Sequence, residues 1–179
     1  MHQQVKKVVI IGPESTGKST LCSQLAAHYQ TEWCPEFARN YLLENGINYS
    51  FSSLLEIAKG QLDLEDQYTQ KVKEQQSPML FVDTDMYVMK VWCEYVFNQC
   101  HTFILDAITK RSYDLYLLCN IDLPWVKDEL REYPNEQPRR ELYNIYKDIL
   151  INQSTPWVSI SGNYEQRLQT AIQAIDGIV

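Results

Sequence analysis

Gly12-Pro13-Glu14-Ser15-Thr16-Gly17-Lys18-Ser19 spells GxxxxGK[ST], a spacing that lets backbone amides close around a chain of phosphates. Glycines permit the tight wrap, Lys18 brings a positive charge to the β and γ oxygens, and Ser19 offers a hydroxyl to Mg²⁺. Glu14, Ser15, Thr16 and Thr20 fill out the nucleotide-contacting set. The chemistry predicted is phosphoryl transfer from a nucleoside triphosphate, which also requires a metal-holding carboxylate and groups that orient the acceptor. Asp83, closing the apolar run Met79-Leu80-Phe81-Val82, is the expected metal carboxylate beside Ser19. Asp85 is a candidate for holding substrate hydroxyls, its plain alternative being a cap for the next helix. Glu36 and Arg39 form an ExxR that would pair across one helix face. Glu36 would take the proton of the attacking hydroxyl, ionised without any large pKa shift, while Arg39 steadies Glu36 or the phosphoryl group. Arg131, Arg139 and Arg140 lie in a proline-containing stretch able to fold over the triphosphate. Trp33, Phe37, Tyr41, Tyr87 and Trp92 stand near strand ends, and Tyr87 and Trp92 are taken as substrate contacts.

Strand-like and helix-like segments must alternate to position such a set. Strands are expected at Val5 to Ile11, Thr31 to Cys34, Met79 to Val82, Tyr113 to Cys119 and Trp157 to Ile160. Helices are expected at Ser19 to Tyr29, Glu36 to Asn45 with Gly46 as the stop, Met86 to Phe97 and Tyr164 to Ile178. Ser50 to Gln76 has helical periodicity, with Ser53 and Glu56 as a capping box, and predicts a flap beside the nucleotide core. Arg131 to Arg140, with two prolines, reads as a mobile loop. The fold class is α/β: a parallel five-stranded sheet with helices on both faces and an arginine-containing lid at about 127–140. One domain over 1–179 is expected, and no internal repeat is visible.

Composition narrows the function. A net charge of −7 with dispersed lysines and arginines argues against a nucleic-acid partner and for a small molecule. No apolar run approaches the roughly 18 residues that cross a bilayer, and Met1 to Lys7 is too short and polar for a leader, so no membrane partner and a cytoplasmic location are expected. Five cysteines without a CxxC pair predict reduced thiols, and Cys93, Cys100 and His101 lack a fourth metal ligand. The residues leave a homo-oligomer open. A GTP switch is disfavoured, because Asp83-Thr84-Asp85-Met86 lacks the glycine of DxxG and Asn120-Ile121-Asp122 lacks the lysine of NKxD.

The order of these motifs resembles the ribosylnicotinamide kinase domain of the NadR-type proteins and, more widely, the small P-loop nucleoside kinases. GxESxGKS is Gly12 to Ser19, ExxRxY is Glu36 to Tyr41, and DTD is Asp83 to Asp85. Trp125-Val126-Lys127-Asp128-Glu129-Leu130-Arg131 is similar to the family's WVxDxLR, followed by an arginine that would be Arg140. The resemblance covers essentially the whole chain. It implies ATP-dependent phosphorylation of the 5′-hydroxyl of nicotinamide riboside to nicotinamide mononucleotide, with Lys18 and Ser19 serving phosphates and metal and Arg131 and Arg140 in the lid. Glu36 as base and Asp85 as ribose ligand come with it, in roles the two carboxylates could exchange. The longer members' adenylyltransferase uses HxGH, and His2, His28 and His101 are not so arranged, so dinucleotide synthesis is not expected. Phosphorylation of another nucleoside or nucleotide, and a nucleotide-dependent regulatory role, are the alternatives.

Overall fold

A computed structural model describes residues 4–178; residues 1–3, with His2 and the start of the expected polar lead, and Val179 lie outside the described residues. Five strands, β1 (Lys6–Ile11), β2 (Trp33–Cys34), β3 (Met79–Asp83), β4 (Leu115–Cys119) and β5 (Trp157–Ile160), form one sheet in the order β2-β3-β1-β4-β5. Every neighbouring pair is parallel, so each return must cross a face of the sheet. The crossings are α1 (Lys18–Tyr29), α2 (Phe37–Asn45), α3 (Phe51–Glu74), α4 (Met86–Phe97), α5 (Thr102–Lys110), α6 (Glu136–Ile151) and α7 (Tyr164–Asp176).

The period of two along each strand divides the core. Val9, Ile11, Leu80, Val82, Tyr116 and Leu118 face α4 and α6, meeting Val88, Val91, Leu142, Tyr146 and Leu150. Val8, Ile10, Met79, Phe81, Leu115 and Leu117 face α1 and α7, meeting Leu21, Leu25, Ala171 and Ile175. A third apolar cluster joins α2, α3, α4 and α5 through Ala38, Ile57, Met89 and Ile104, which makes α3 the expected flap against the nucleotide core. Gly60 is needed there, since a Cβ would lie 2.2 Å from the Phe37 ring.

Several expectations require correction. The α3 cap is Ser50 with Ser53 rather than Ser53 with Glu56: the Ser50 hydroxyl accepts from the Ser53 amide at 3.2 Å and the Ser53 hydroxyl accepts from the Ser50 amide at 3.1 Å. The stretch read as loop through Arg140 turns helical at Glu136, because Pro138 sits in the first turn of α6, where a missing N–H costs no hydrogen bond. The irregular lid therefore ends at Asn135. Glu36 is the residue before α2 rather than its first member. No helix among the described residues is long and apolar enough to cross a membrane.

Candidate functional site

All C-terminal strand ends lie on one edge of a parallel sheet, and the loops leaving them make a recess there. The β1–α1 loop is its floor. Gly12 runs at φ 147° so close to β4 that a Cβ would fall 2.7 Å from the Cys119 carbonyl oxygen. Gly17, at φ 77°, is the left-handed residue that starts α1 and aims the helix N-terminus at the recess. Within the loop the Thr16 hydroxyl donates to the Pro13 carbonyl at 2.8 Å, and Lys18 Nζ reaches the same oxygen at 2.9 Å. Buried Arg167 of α7 braces the loop from behind, donating to the carbonyls of Thr16 (3.0 Å), Asn120 (3.0 Å) and Gly162 (2.7 Å) and to Asp122.

Strand alternation explains the pairing of Asp83 with Ser19. Asp83, like Met79 and Phe81, points to the α1 face, and the Ser19 hydroxyl donates to its Oδ2 at 2.5 Å. The carboxylate is 1 % exposed, and burial holds its pKa above the usual carboxylate range against the pull of Lys18 and Ser19. A buried carboxylate with only hydroxyl donors touching it, next to a second hard oxygen, fits Mg²⁺, which keeps most of its remaining coordination for water and phosphate.

Two residues share a face when a strand continues, but here it stops. Thr84 takes φ 80°, a left-handed conformation costly for a β-branched residue, and sends Asp85 to the opposite side. Asp85 Oδ1 accepts the amides of Tyr87 (3.0 Å) and Val88 (3.3 Å), capping α4, and Oδ2 accepts the Tyr116 hydroxyl at 2.6 Å. Its pKa is pushed up to about 6, chiefly by burial. The cap that the sequence offered as the alternative is formed, both oxygens of Asp85 are engaged, and Asp85 is not among the residues that line the recess. Tyr87 does not line it either. Its ring packs beside Tyr116 in the core, 5.8 Å between centroids.

Gly12, Glu14, Ser15, Thr16, Gly17, Lys18, Ser19, Thr20, Glu36, Arg39, Trp92 and Arg131 do line the recess together. Of the aromatics, Trp92 lines it with Tyr95, Tyr133 and Tyr146, while Trp33, Phe37 and Tyr41 pack in the core clusters. Glu36 is raised in pKa by burial and by Asp83, with Lys18 and Arg39 opposing. Arg39 does not hold Glu36 in an ion pair. It forks onto Asp128 of the lid, Nη1 to Oδ1 at 3.3 Å and Nη2 to Oδ2 at 2.9 Å.

The arginines of the lid separate cleanly. Arg131 lines the recess, its Nη1 donating to the Val126 carbonyl. Arg140, the expected second lid arginine, is exposed on α6 and paired with Glu136 one turn back; it and Arg139 border a side pocket formed with Asn120, Asp122 and Trp125, and neither lines the recess. Its neighbour Arg139 is 5 % exposed on the same helix face as Leu142 and Tyr146, and its Nε and Nη1 have no hydrogen-bond partner. A buried guanidinium with unused donors is costly unless an anion uses them. The helical start at Glu136 sets which of the two adjacent arginines faces inward, and the prolines concealed that start in the sequence. Tyr49, packed edge-on to Trp92 at 5.0 Å and donating to Glu132 at 3.3 Å, is a further residue at this site that spacing alone did not flag.

A family profile described as an AAA domain matches residues 7–167. The chain belongs to that family. This AAA domain is 28 % identical over 179 residues to the "Trifunctional NAD biosynthesis/regulator protein NadR" of Escherichia coli strain K12, covering 96 % of this chain and 42 % of that protein. The Salmonella typhimurium protein of the same name is 27 % identical with the same coverage, so the chain spans about two-fifths of the length of these curated relatives. Among solved structures, NadR protein in complex with NR superposes with a TM-score of 0.82 at 23 % identity, covering 98 % of this chain and 50 % of that one. Thymidylate kinase from Ehrlichia chaffeensis superposes at 0.69 with 12 % identity, covering 96 % of this chain and 98 % of that one. The AAA domain therefore has the parallel α/β fold of P-loop kinases.

Proposed function

We propose that this AAA domain is an ATP-dependent kinase that phosphorylates the 5′-hydroxyl of nicotinamide riboside, giving nicotinamide mononucleotide in cytoplasmic NAD salvage. The observation that carries the reading is the meeting, in one recess, of a complete phosphate loop, the carboxylate of Glu36 and an aromatic wall at Trp92. Similarity to NadR along 96 % of the chain supports the acceptor.

In this reading Lys18 and the loop amides grip the β and γ phosphates. Ser19 and Asp83 would hold magnesium, which when bound neutralises charge on the phosphate oxygens. The acceptor oxygen attacks the γ phosphorus, the bond to the β-bridging oxygen breaks, ADP leaves, and Glu36 accepts the hydroxyl proton. Proton acceptance suits a carboxylate whose pKa is raised, since a base works best with a pKa near the operating pH. Arg131, the lid arginine that lines the recess, neutralises charge on the phosphates, with Arg139 and Arg140 in the adjoining side pocket. The positive pyridinium ring is matched by Trp92 and by the carboxylates Glu36 and Glu132.

The test is ADP release measured with nicotinamide riboside, with deoxynucleosides and with no acceptor. Release should depend on nicotinamide riboside and vanish in Lys18→Ala. Equal slow release in all three reactions would instead mark a nucleotide switch, and selective release with a deoxynucleoside would reassign the acceptor. Arg131→Ala should lower kcat by about a hundredfold or more. A loss of ATP affinity alone would remove Arg131 from the transition state.

A further inference from the structure

Glu14 stands in the phosphate loop, yet a carboxylate is the wrong charge to meet a polyphosphate. Its oxygens are turned to the lid. Oε1 accepts the Tyr133 amide at 2.7 Å and the Trp125 indole N–H at 3.1 Å, and Oε2 accepts the Glu132 amide at 2.8 Å. The next residue adds a fourth tie, since Ser15 Oγ accepts the Val126 amide at 3.0 Å.

These bonds bracket Arg131. On its C-terminal side Glu132 and Tyr133 are held by Glu14. On its N-terminal side the Asp128 carboxylate accepts the Leu130 amide at 3.1 Å and is itself gripped by Arg39. Arg131 is thus suspended between two carboxylate anchors, one on the loop beneath it and one across the recess. Three donors converging on one ionised acceptor make a strong, geometrically specific contact.

We propose that Glu14 is a positioning residue: its carboxylate latches the segment from Trp125 to Tyr133 onto the phosphate loop and so fixes Arg131 above the bound phosphates. Charge gives the latch a direction. With a polyphosphate in the loop, opening the lid strips Glu14 of its three donors and leaves it beside like charge, so occupancy of the loop favours closure. An invariant closed lid would trap product; a latch that tightens with triphosphate and loosens as the phosphate charge departs opens after transfer.

The exchange half of this inference is independent of the kinase reading, and the kinetic half rests on it. Amide hydrogen exchange on the full chain without nucleotide should show Glu132 and Tyr133 exchanging at least about tenfold faster in Glu14→Ala than in wild type, with β1, β3 and β4 unchanged. Glu14→Gln keeps an acceptor oxygen but not the charge and should fall between them. In turnover, Glu14→Ala should lower kcat about tenfold with the KM for ATP within about threefold, and adding it to Arg131→Ala should cost nothing further. Wild-type exchange at both amides in Glu14→Ala overturns the latch, as do losses from Glu14→Ala and Arg131→Ala that multiply in full. Faster lid exchange in Glu14→Ala, with no phosphoryl transfer by wild type to any nucleoside, upholds the latch and rejects the kinase.

Discussion

Two buried carboxylates sit at opposite edges of the same sheet, and the protein treats them differently. At the N-terminal edge Glu65 of α3, fully enclosed, receives Lys7 Nζ at 2.7 Å, the Tyr113 hydroxyl at 2.9 Å and Arg111 at 3.3 Å. At the C-terminal edge Asp83, equally enclosed, is touched by the hydroxyls of Ser19 and Thr84, and its pKa is raised by burial. The first charge is neutralised by the fold itself. The second is left short of positive charge at the edge where a parallel sheet collects ligands, and the fold bears that cost for what the site does. On the proposed function, the saturated carboxylate belongs to architecture and the undersupplied one to chemistry.

Asp83→Asn gives the sharpest break of this comparison: phosphoryl transfer should fall about a thousandfold or more while Tm stays level or rises, as calorimetry would register. A clear drop in Tm would move Asp83 to the structural class. Glu65→Ala should do the reverse, costing about 3–5 kcal/mol in urea unfolding because two cations lose their buried partner. Turnover by the remaining folded fraction should stay near wild type. Asp85 supplies an intermediate case with a pH signature. Its pKa of about 6 exceeds its unfolded value, so between these values the native state holds the extra proton and stability falls as pH rises. Asp85→Asn should flatten that fall, which amounts to roughly 2–3 kcal/mol, in unfolding curves at pH 4 and pH 7.5. An unchanged slope would mean that Asp85 is not the group responsible. The smallest effect belongs to Arg140→Ala, expected within about twofold of wild-type kcat because an exposed i,i+4 pair contributes a few tenths of a kcal/mol.

What could be read from the sequence follows the range of the forces involved. The phosphate loop and all five strands were legible, since glycine spacing and apolar runs are local signals. The place of Asp83 at the end of β3, beside Ser19, followed from the apolar run before it. Asp85 and Tyr87 did not, because their direction turns on the φ of Thr84, a strained residue whose type favours no such bend. Arg39 was paired with the wrong carboxylate: its partner Asp128 is 89 positions away, and only the closed lid brings them together. Pro138 concealed the start of α6, and with it which arginine, Arg139 or Arg140, faces inward. The short α5 left no mark beside the Cys100-His101 pair, where His101 stacks on Phe51 at 3.7 Å.

Arg167 ties together the carbonyls of three separate strand-end loops, and it enters the chain 151 positions after Thr16. During synthesis, the phosphate loop would leave the ribosome long before the guanidinium that braces it. A nascent chain lacking α7 would offer a phosphate motif without a rigid cradle.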